Sequence, residues 1–353
     1  RNFRRFKVFS AINILGLSIG ISSALVIYLI VYFEFSFEKS WKNGNRVYRV
    51  VSNMHFPDQD FKNSGVPGPL PAAARNEIPG IEKSAYFWIG NAMNVSVPLK
   101  NEKENVFRKQ EKIIFADESY FRFVDYDWLA GSPDKALEEP GTVVLTESRA
   151  RTYFPYADIR NAVGQTIVYD DSIKATVTGV VKDKKEITDF TFAEMVSFST
   201  YKSILEENNG FSEWGSISSN SQFLVQLKEG TDTARFNKEL AAVRSKHEKN
   251  AYLQTDHFLQ SLNDIHFNAD FDAFEQRQAH KPTLYGLLAI AAFLLLLGCI
   301  NFINLTTAHA SQRAKEIGVR KTMGSSRGQL VLQFLVETLL LTVLATVVSL
   351  ALT

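Results

Sequence analysis

Six histidines punctuate the 353-residue chain, at His55, His247, His257, His266, His280 and His309. Imidazole is the side chain best suited to holding a transition metal or moving a proton near neutral pH. Their spacing supports neither role: there is no HExxH segment and no paired metal-ligand spacing, so each reads as a packing or surface residue and no cofactor is expected. Acidic neighbours, Asp58 with Asp60 and Glu138 with Glu139, fall in turn-like stretches where a solvated loop is the simpler reading. No GxSxG nucleophile elbow occurs, which leaves no catalytic constellation. A GxxxxGK segment followed by Ser or Thr is also missing, so the chain has no such loop to cradle nucleotide phosphates, and ATP hydrolysis is expected only in a partner. The conspicuous residues are cations. Segment 309–329 holds Arg313, Lys315, Arg320, Lys321 and Arg327 against the single acid Glu316, with Ile317, Val319 and Met323 among them. That pattern reads equally as a helix docking at a membrane interface or a partner's groove, and as a plain basic loop.

Position decides what must hold this segment. The formal net charge of +1 and 45% hydrophobic content resemble an ordinary soluble protein and give no case for nucleic acid. The average misleads, because residues 34–282 carry all the acidic residues except Glu316 and Glu337, while three apolar blocks flank them. Residues 8–33 contain no charge, and about 20 apolar residues cross a hydrocarbon core. The basic residues Arg1, Arg4, Arg5 and Lys7 would suit a signal peptide, but the apolar run exceeds an h-region of about 15 residues and lacks a small-residue cleavage site. Residues 283–308 include thirteen Leu, Ile or Phe, and residues 330–353 contain only Glu337 as a charge. Three spans follow. Residues 1–7 and 309–329 are both rich in Lys and Arg, which predicts that both are cytoplasmic and that 34–282 lie outside. Cys299, the lone cysteine, falls in the second block, so no intramolecular disulfide forms.

Gly16, Gly20 and Ala24 recur every four positions and predict a narrow face for close helix approach. Asn301 and Asn304, three apart, are expected to hydrogen-bond between helices, with a transport path as the alternative. The outer region mixes short strands (46–53, 94–99, 143–146, 166–169, 175–181, 223–228) with helices (71–77, 147–154, 231–249), and the order around the last helix predicts α+β layers. A hairpin is expected about Asp170-Asp171-Ser172. Breaks at 133–141 and 182–189 suggest two subdomains.

Residues 313–326, Arg-Ala-Lys-Glu-Ile-Gly-Val-Arg-Lys-Thr-Met-Gly-Ser-Ser, resemble the cytoplasmic signature of FtsX/MacB-type ABC transporter permeases, with Thr322 and Ser325 where alanines are usual. Residues 9–20 are similar to that family's first helix. Leu129 to Pro133, Val143 to Ser148, Val163 to Ile167 and Leu262 to Phe267 resemble a MacB-like periplasmic core. The resemblance implies a multi-pass bacterial inner-membrane permease of helix-domain-helix-helix-helix plan, with a fourth span beyond Thr353. It also implies a separate ABC ATPase subunit, a second permease copy or half, and service with a periplasmic adaptor and outer-membrane channel. By the same resemblance Lys315, Glu316, Ile317, Gly318, Arg320, Lys321 and Gly324 form the ATPase-coupling segment, with Glu316 and Arg320 spaced to pair. Export, efflux and lipoprotein release are the implied roles, none of them chosen by the sequence. A membrane-anchored extracytoplasmic sensor is the alternative, disfavoured because only about twenty residues separate the second and third blocks.

Overall fold

The computed structural model describes residues 7–98, 103–155, 158–209, 211–247, 254–274, 277–312 and 314–353. The uncharged run after Lys7 forms one helix, α1 (Lys7–Phe35). The second apolar block forms α8 (Lys281–Gln312), with Pro282 in the first turn where its missing N–H is no loss. A short α9 (Ala314–Thr322) and then α10 (Arg327–Leu352) follow. Ser10–Phe35, Lys281–Ala308 and Arg327–Leu352 are long and apolar enough to cross a membrane. These helices make one compact unit, and Phe37–Ala279 make another.

The second unit runs β1 (Val47–His55), β2 (Asp60–Asn63), α2 (Leu70–Glu77), β3 (Ile81–Ile89), β4 (Met93–Pro98), β5 (Glu104–Gln110), β6 (Ile113–Ala116), α3 (Tyr120–Phe123), β7 (Trp128–Ala130), β8 (Thr142–Thr146), α4 (Glu147–Tyr153), β9 (Thr166–Tyr169) and β10 (Ile173–Val181). It continues with β11 (Glu194–Ser197), α5 (Phe198–Asn209), β12 (Ser221–Leu227), α6 (Thr233–His247), β13 (Gln254–Ser261) and α7 (Leu262–Ile265). Among the described residues the strands join in the order β13-β1-β12-β3-β6-β11-β8-β10-β9-β4-β5, with β2 on β1 and β7 on β10. The β6–β11 and β8–β10 pairs are parallel and the others antiparallel, so the unit is α+β with a mixed sheet. The stretches 133–141 and 182–189 lie in the β7–β8 and β10–β11 connections of this one sheet.

Local chemistry explains the elements that were legible. The β9–β10 hairpin turns at Asp170 and Asp171, both with positive φ (42° and 57°), a conformation Asp tolerates better than most residues. Helix α6 buries Phe236, Leu240 and Val243 at three-to-four spacing, and the Asp232 carboxylate accepts the Ala234 N–H at 2.9 Å at its start. Strands β12 and β13 flank α6 in sequence, yet β1 lies between them in the sheet and runs antiparallel to both. Alternate side chains divide the core. Ala85, Phe87, Ile114, Val144, Met195 and Leu224 face an aromatic cluster with Tyr120, Phe190 and Phe274. Their sequence neighbours face two clusters on the opposite side, one with α2 and α6 and one with Tyr153 and Ile167.

One carboxylate sits inside this sheet. Glu194 on β11 is fully buried and accepts the Tyr153 and Tyr169 hydroxyls at 2.6 Å each, with the Arg149 guanidinium 3.3 Å away. Burial pushes its carboxyl above the usual range, and Arg149 and the two phenols act in the opposite sense.

Candidate functional site

The basic segment is built around a sharp corner. Helix α9 ends at Gly324, whose φ of +96° is the left-handed conformation that closes a helix. The Ser325 N–H donates to the Arg320 carbonyl (3.1 Å) and the Gly324 N–H to the Lys321 carbonyl (3.2 Å), the paired bonds of a Schellman motif. Two residues later Ser326 opens α10 with a capping box: its hydroxyl accepts the Gln329 N–H (3.3 Å), and the Gln329 side-chain Oε1 accepts the Ser326 N–H (3.0 Å). A helix stop and a helix start thus lie back to back. Gly324 builds the corner.

Arg320 points back toward α10. Its guanidinium donates to Gln333 Oε1 at 2.7 Å, and Gln333 Nε2 donates to Glu337 Oε1 at 3.2 Å. Glu337, the one charge in the third apolar block, is therefore linked through an amide to the basic segment. Ile317 is half-buried, whereas Gly318 and Lys321 are exposed, and Val319 (58%) and Met323 (81%) present apolar surface outward. Among the described residues nothing lies within 4 Å of the position a Cβ would take on Gly318. Arg313 and the side chains of Lys315 and Glu316 lie outside the described residues, and with them the expected Glu316–Arg320 pair.

The small-residue face of α1 is in use. A Cβ on Gly20 would stand 3.3 Å from the Leu294 carbonyl oxygen and 3.4 Å from Gly298 Cα, and one on Gly16 would stand 3.0 Å from Asn301 Nδ2. Helices α1 and α8 thus approach backbone to backbone, and Ala24 is half-buried further along α1. Ser18 Oγ donates to the Ala345 carbonyl at 2.9 Å, tying α1 to α10. Asn301 packs at Gly16, but Asn301 and Asn304 both lie on exposed positions and neither makes a side-chain hydrogen bond among the described residues. The buried amide on this face is Asn13, and neither of its side-chain polar atoms has a hydrogen-bond partner there.

Several participants were missed from sequence although signals existed. Ser326 and Gln329 have the S-x-x-Q spacing of a capping box, Gln333 and Glu337 the i, i+4 spacing of a helix pair, and Asn13 is a polar residue in an apolar span. The Arg320–Gln333 contact had none, since it crosses the corner. Among the described residues no group of His, Cys, Asp and Glu is placed to hold a metal ion.

The chain has relatives along both of its parts. Residues 10–243 match the MacB-like periplasmic core domain and residues 288–353 the FtsX-like permease C-terminal. The ABC transporter permease YknZ of Bacillus subtilis is 27% identical over 234 residues, 66% of this chain and 51% of that protein. The macrolide export ATP-binding/permease protein MacB 1 of Yersinia pestis is 22% identical over 339 residues, 95% of this chain and 48% of that protein. The chain therefore spans about half the length of the curated relatives it matches. A crystal structure of a domain of a putative permease from Porphyromonas gingivalis shares the fold, with a TM-score of 0.53 at 16% identity over 64% of this chain and 92% of that one. With the periplasmic-core match covering most of the chain and the permease match its end, this chain belongs to the MacB/FtsX-like family of ABC transporter permeases.

Proposed function

We propose that the chain passes the motion of an ATPase to the Phe37–Ala279 domain, in a machine that exports a substrate or releases a lipoprotein. In this reading residues 1–7 and 309–329 are cytoplasmic, 8–33, 283–308 and 330–353 cross a bacterial inner membrane, and 34–282 are periplasmic. The carrying observation is the corner: α9 is stopped by Gly324 and tied to α10 through Arg320, while Val319, Lys321 and Met323 face outward. An apolar and cationic face held on a fixed helix suits a groove on another protein, and a push delivered there passes into α10. The ATPase is assigned to a separate subunit, with a second permease copy or half alongside. Because the Yersinia relative's name joins ATP binding and permease in one protein, an ATPase elsewhere on a longer polypeptide is the second reading. That name also favours efflux, with a periplasmic adaptor and outer-membrane channel as further partners.

The test is Gly318→Pro in the full-length protein reconstituted with its ATPase. Proline inside α9 removes a helix bond and costs about 3 kcal/mol, so membrane insertion is expected to persist while ATP-driven motion of the outer domain is lost. Gly318→Ala, whose methyl meets no described residue within 4 Å, is the matched control. Unchanged coupling in Gly318→Pro refutes the assignment.

A further inference from the structure

The chain enters and leaves the Phe37–Ala279 unit against one loop. Glu38, three residues past the end of α1, is only 2% exposed. Its carboxylate accepts the Thr188 hydroxyl (2.8 and 3.0 Å to its two oxygens) and the Asp189 N–H (2.7 Å), while its own N–H donates to the Ile187 carbonyl (3.1 Å). To make these bonds Glu38 adopts φ 59°, a left-handed conformation that costs a non-glycine residue about 1–2 kcal/mol. Strain of this kind persists only where surrounding contacts over-determine it. Trp41, one turn on, packs on Phe190 of the same loop with ring centroids 4.9 Å apart.

The returning chain meets the loop from the other side. Asp189 bonds His266 Nδ1 at 3.0 Å, and both side chains are buried. The His266 ring stacks on Phe37 with centroids 3.5 Å apart, and its carbonyl accepts the Ala279 N–H at 2.9 Å, two residues before α8 begins. Loop 187–190 leads directly into β11, which carries Glu194 at the middle of the sheet. Both connections to the long helices are thus fastened to one loop by a continuous set of buried hydrogen bonds: Glu38 to Thr188 and Asp189, and Asp189 to His266.

We propose that Glu38, Asp189 and His266 are positioning residues that form a single joint, so that displacement arriving from α1 and from α8 is delivered together to loop 187–190 and the central strand β11. The proposal rests on the permease reading. It is specific in that two helices act on the sheet through one buried carboxylate–imidazole cluster rather than through separate attachments. The charged groups around Glu38 are Asp189 and Lys184, and Asp189 in turn faces His266 and the buried Arg49. Burial pushes the Glu38 carboxyl up to about 7, against the Asp189 N–H and the Thr188 hydroxyl, whose hydrogen bonds act in the opposite sense, so the joint titrates near neutral pH.

The test uses the full-length protein with its ATPase in nanodiscs. Hydrogen exchange is followed at residues 187–197 with ADP and with ATP plus vanadate, alongside the rate of ATP hydrolysis. Wild type is expected to show a nucleotide-dependent change there, and Glu38→Ala and His266→Ala to reduce that change about tenfold, within the usual range of coupling energies, while hydrolysis continues. Glu38→Gln, which keeps the size and the acceptor, is expected to retain the change but lose its pH dependence between about 6 and 8. An unchanged nucleotide response in folded Glu38→Ala overturns the joint. Should that variant not fold, the Gln profile decides: a profile as steep as wild type overturns the joint, and a flat one supports it. A wild type with no nucleotide response overturns the permease reading itself.

Discussion

Replacing Gly20 with Leu tests whether the close approach of α1 and α8 holds the helix unit together. The atoms facing Gly20 are backbone, the Leu294 carbonyl oxygen and Gly298 Cα at 3.3 and 3.4 Å from a would-be Cβ, so no side chain can swing aside. Alanine needs a shift of a few tenths of an ångström and is expected to cost less than about 1 kcal/mol. Leucine adds three more carbons against that backbone and must drive the helices apart. Overpacking of that kind costs about 1–3 kcal/mol, and separation also endangers the Ser18–Ala345 hydrogen bond, worth about 0.6 kcal/mol or more in a membrane. The expected total is about 2–4 kcal/mol. Ile19, 59% exposed, supplies the control: Ile19→Phe adds bulk at a position the described residues leave largely open. Equilibrium unfolding of the full-length protein in detergent micelles, titrated with SDS, measures all three variants. A Gly20→Leu protein as stable as Ile19→Phe refutes the packing argument.

Three further outcomes follow from the geometry. Glu194→Ala leaves two buried phenols and Arg149 without their carboxylate and is expected to cost about 3 kcal/mol or more, roughly 10 °C in Tm for a domain of this size, whereas Glu194→Gln costs markedly less; calorimetry of both variants checks this. Gly324→Val forces a β-branched residue into φ +96° and is expected to destabilise the α9–α10 corner by about 1–2 kcal/mol, visible as faster hydrogen exchange at residues 320–326. His257 is buried, with Nδ1 2.9 Å from Ser52 Oγ; burial, aided by nearby Arg244, lowers its pKa to about 3 against 6.5 when exposed. The folded state therefore binds fewer protons between those values, and the stability His257 confers is present above 6.5 and lost as pH falls toward 3. Relative to His257→Gln, wild type should lose about 1.4 kcal/mol per pH unit across that window, and parallel urea-unfolding curves at pH 4 to 7 would contradict this.

What the sequence made legible was set by local physics. An apolar run long enough to cross a bilayer, with at most one charge inside it, needs no partner to declare itself, so α1, α8 and α10 could be read directly. The same holds for α6, whose three buried residues repeat at helical spacing, and for the Asp170-Asp171 turn. Strand β1 could be found but not placed: its partners Gln226 and Gln260 come from far along the chain, opposite Val47 and Arg49, and no local pattern encodes such pairing. The edge strand β5, mostly exposed, shows no alternation, and β6 is four buried residues that read equally as helix or strand. The coupling segment is visible through its charges, whereas the helix-closing φ of Gly324 is not, since glycine alone does not say which conformation it adopts. Glu38, Asp189 and His266 were not linked at all, since three elements far apart in sequence bring them together and His266 had been read only as a packing or surface residue.

The ATPase-facing role proposed for α9 is tested most directly at Met323, the residue after its last turn, whose side chain is 81% exposed. Met323→Cys, in a Cys299→Ser background that removes the chain's only other thiol, would carry a spin label, with its mobility read by electron paramagnetic resonance in nanodiscs with and without the ATPase. Docking on α9 predicts a label that is mobile alone, immobilised when the ATPase is added, and changed again by ATP plus vanadate. A label equally mobile in all three states would contradict it.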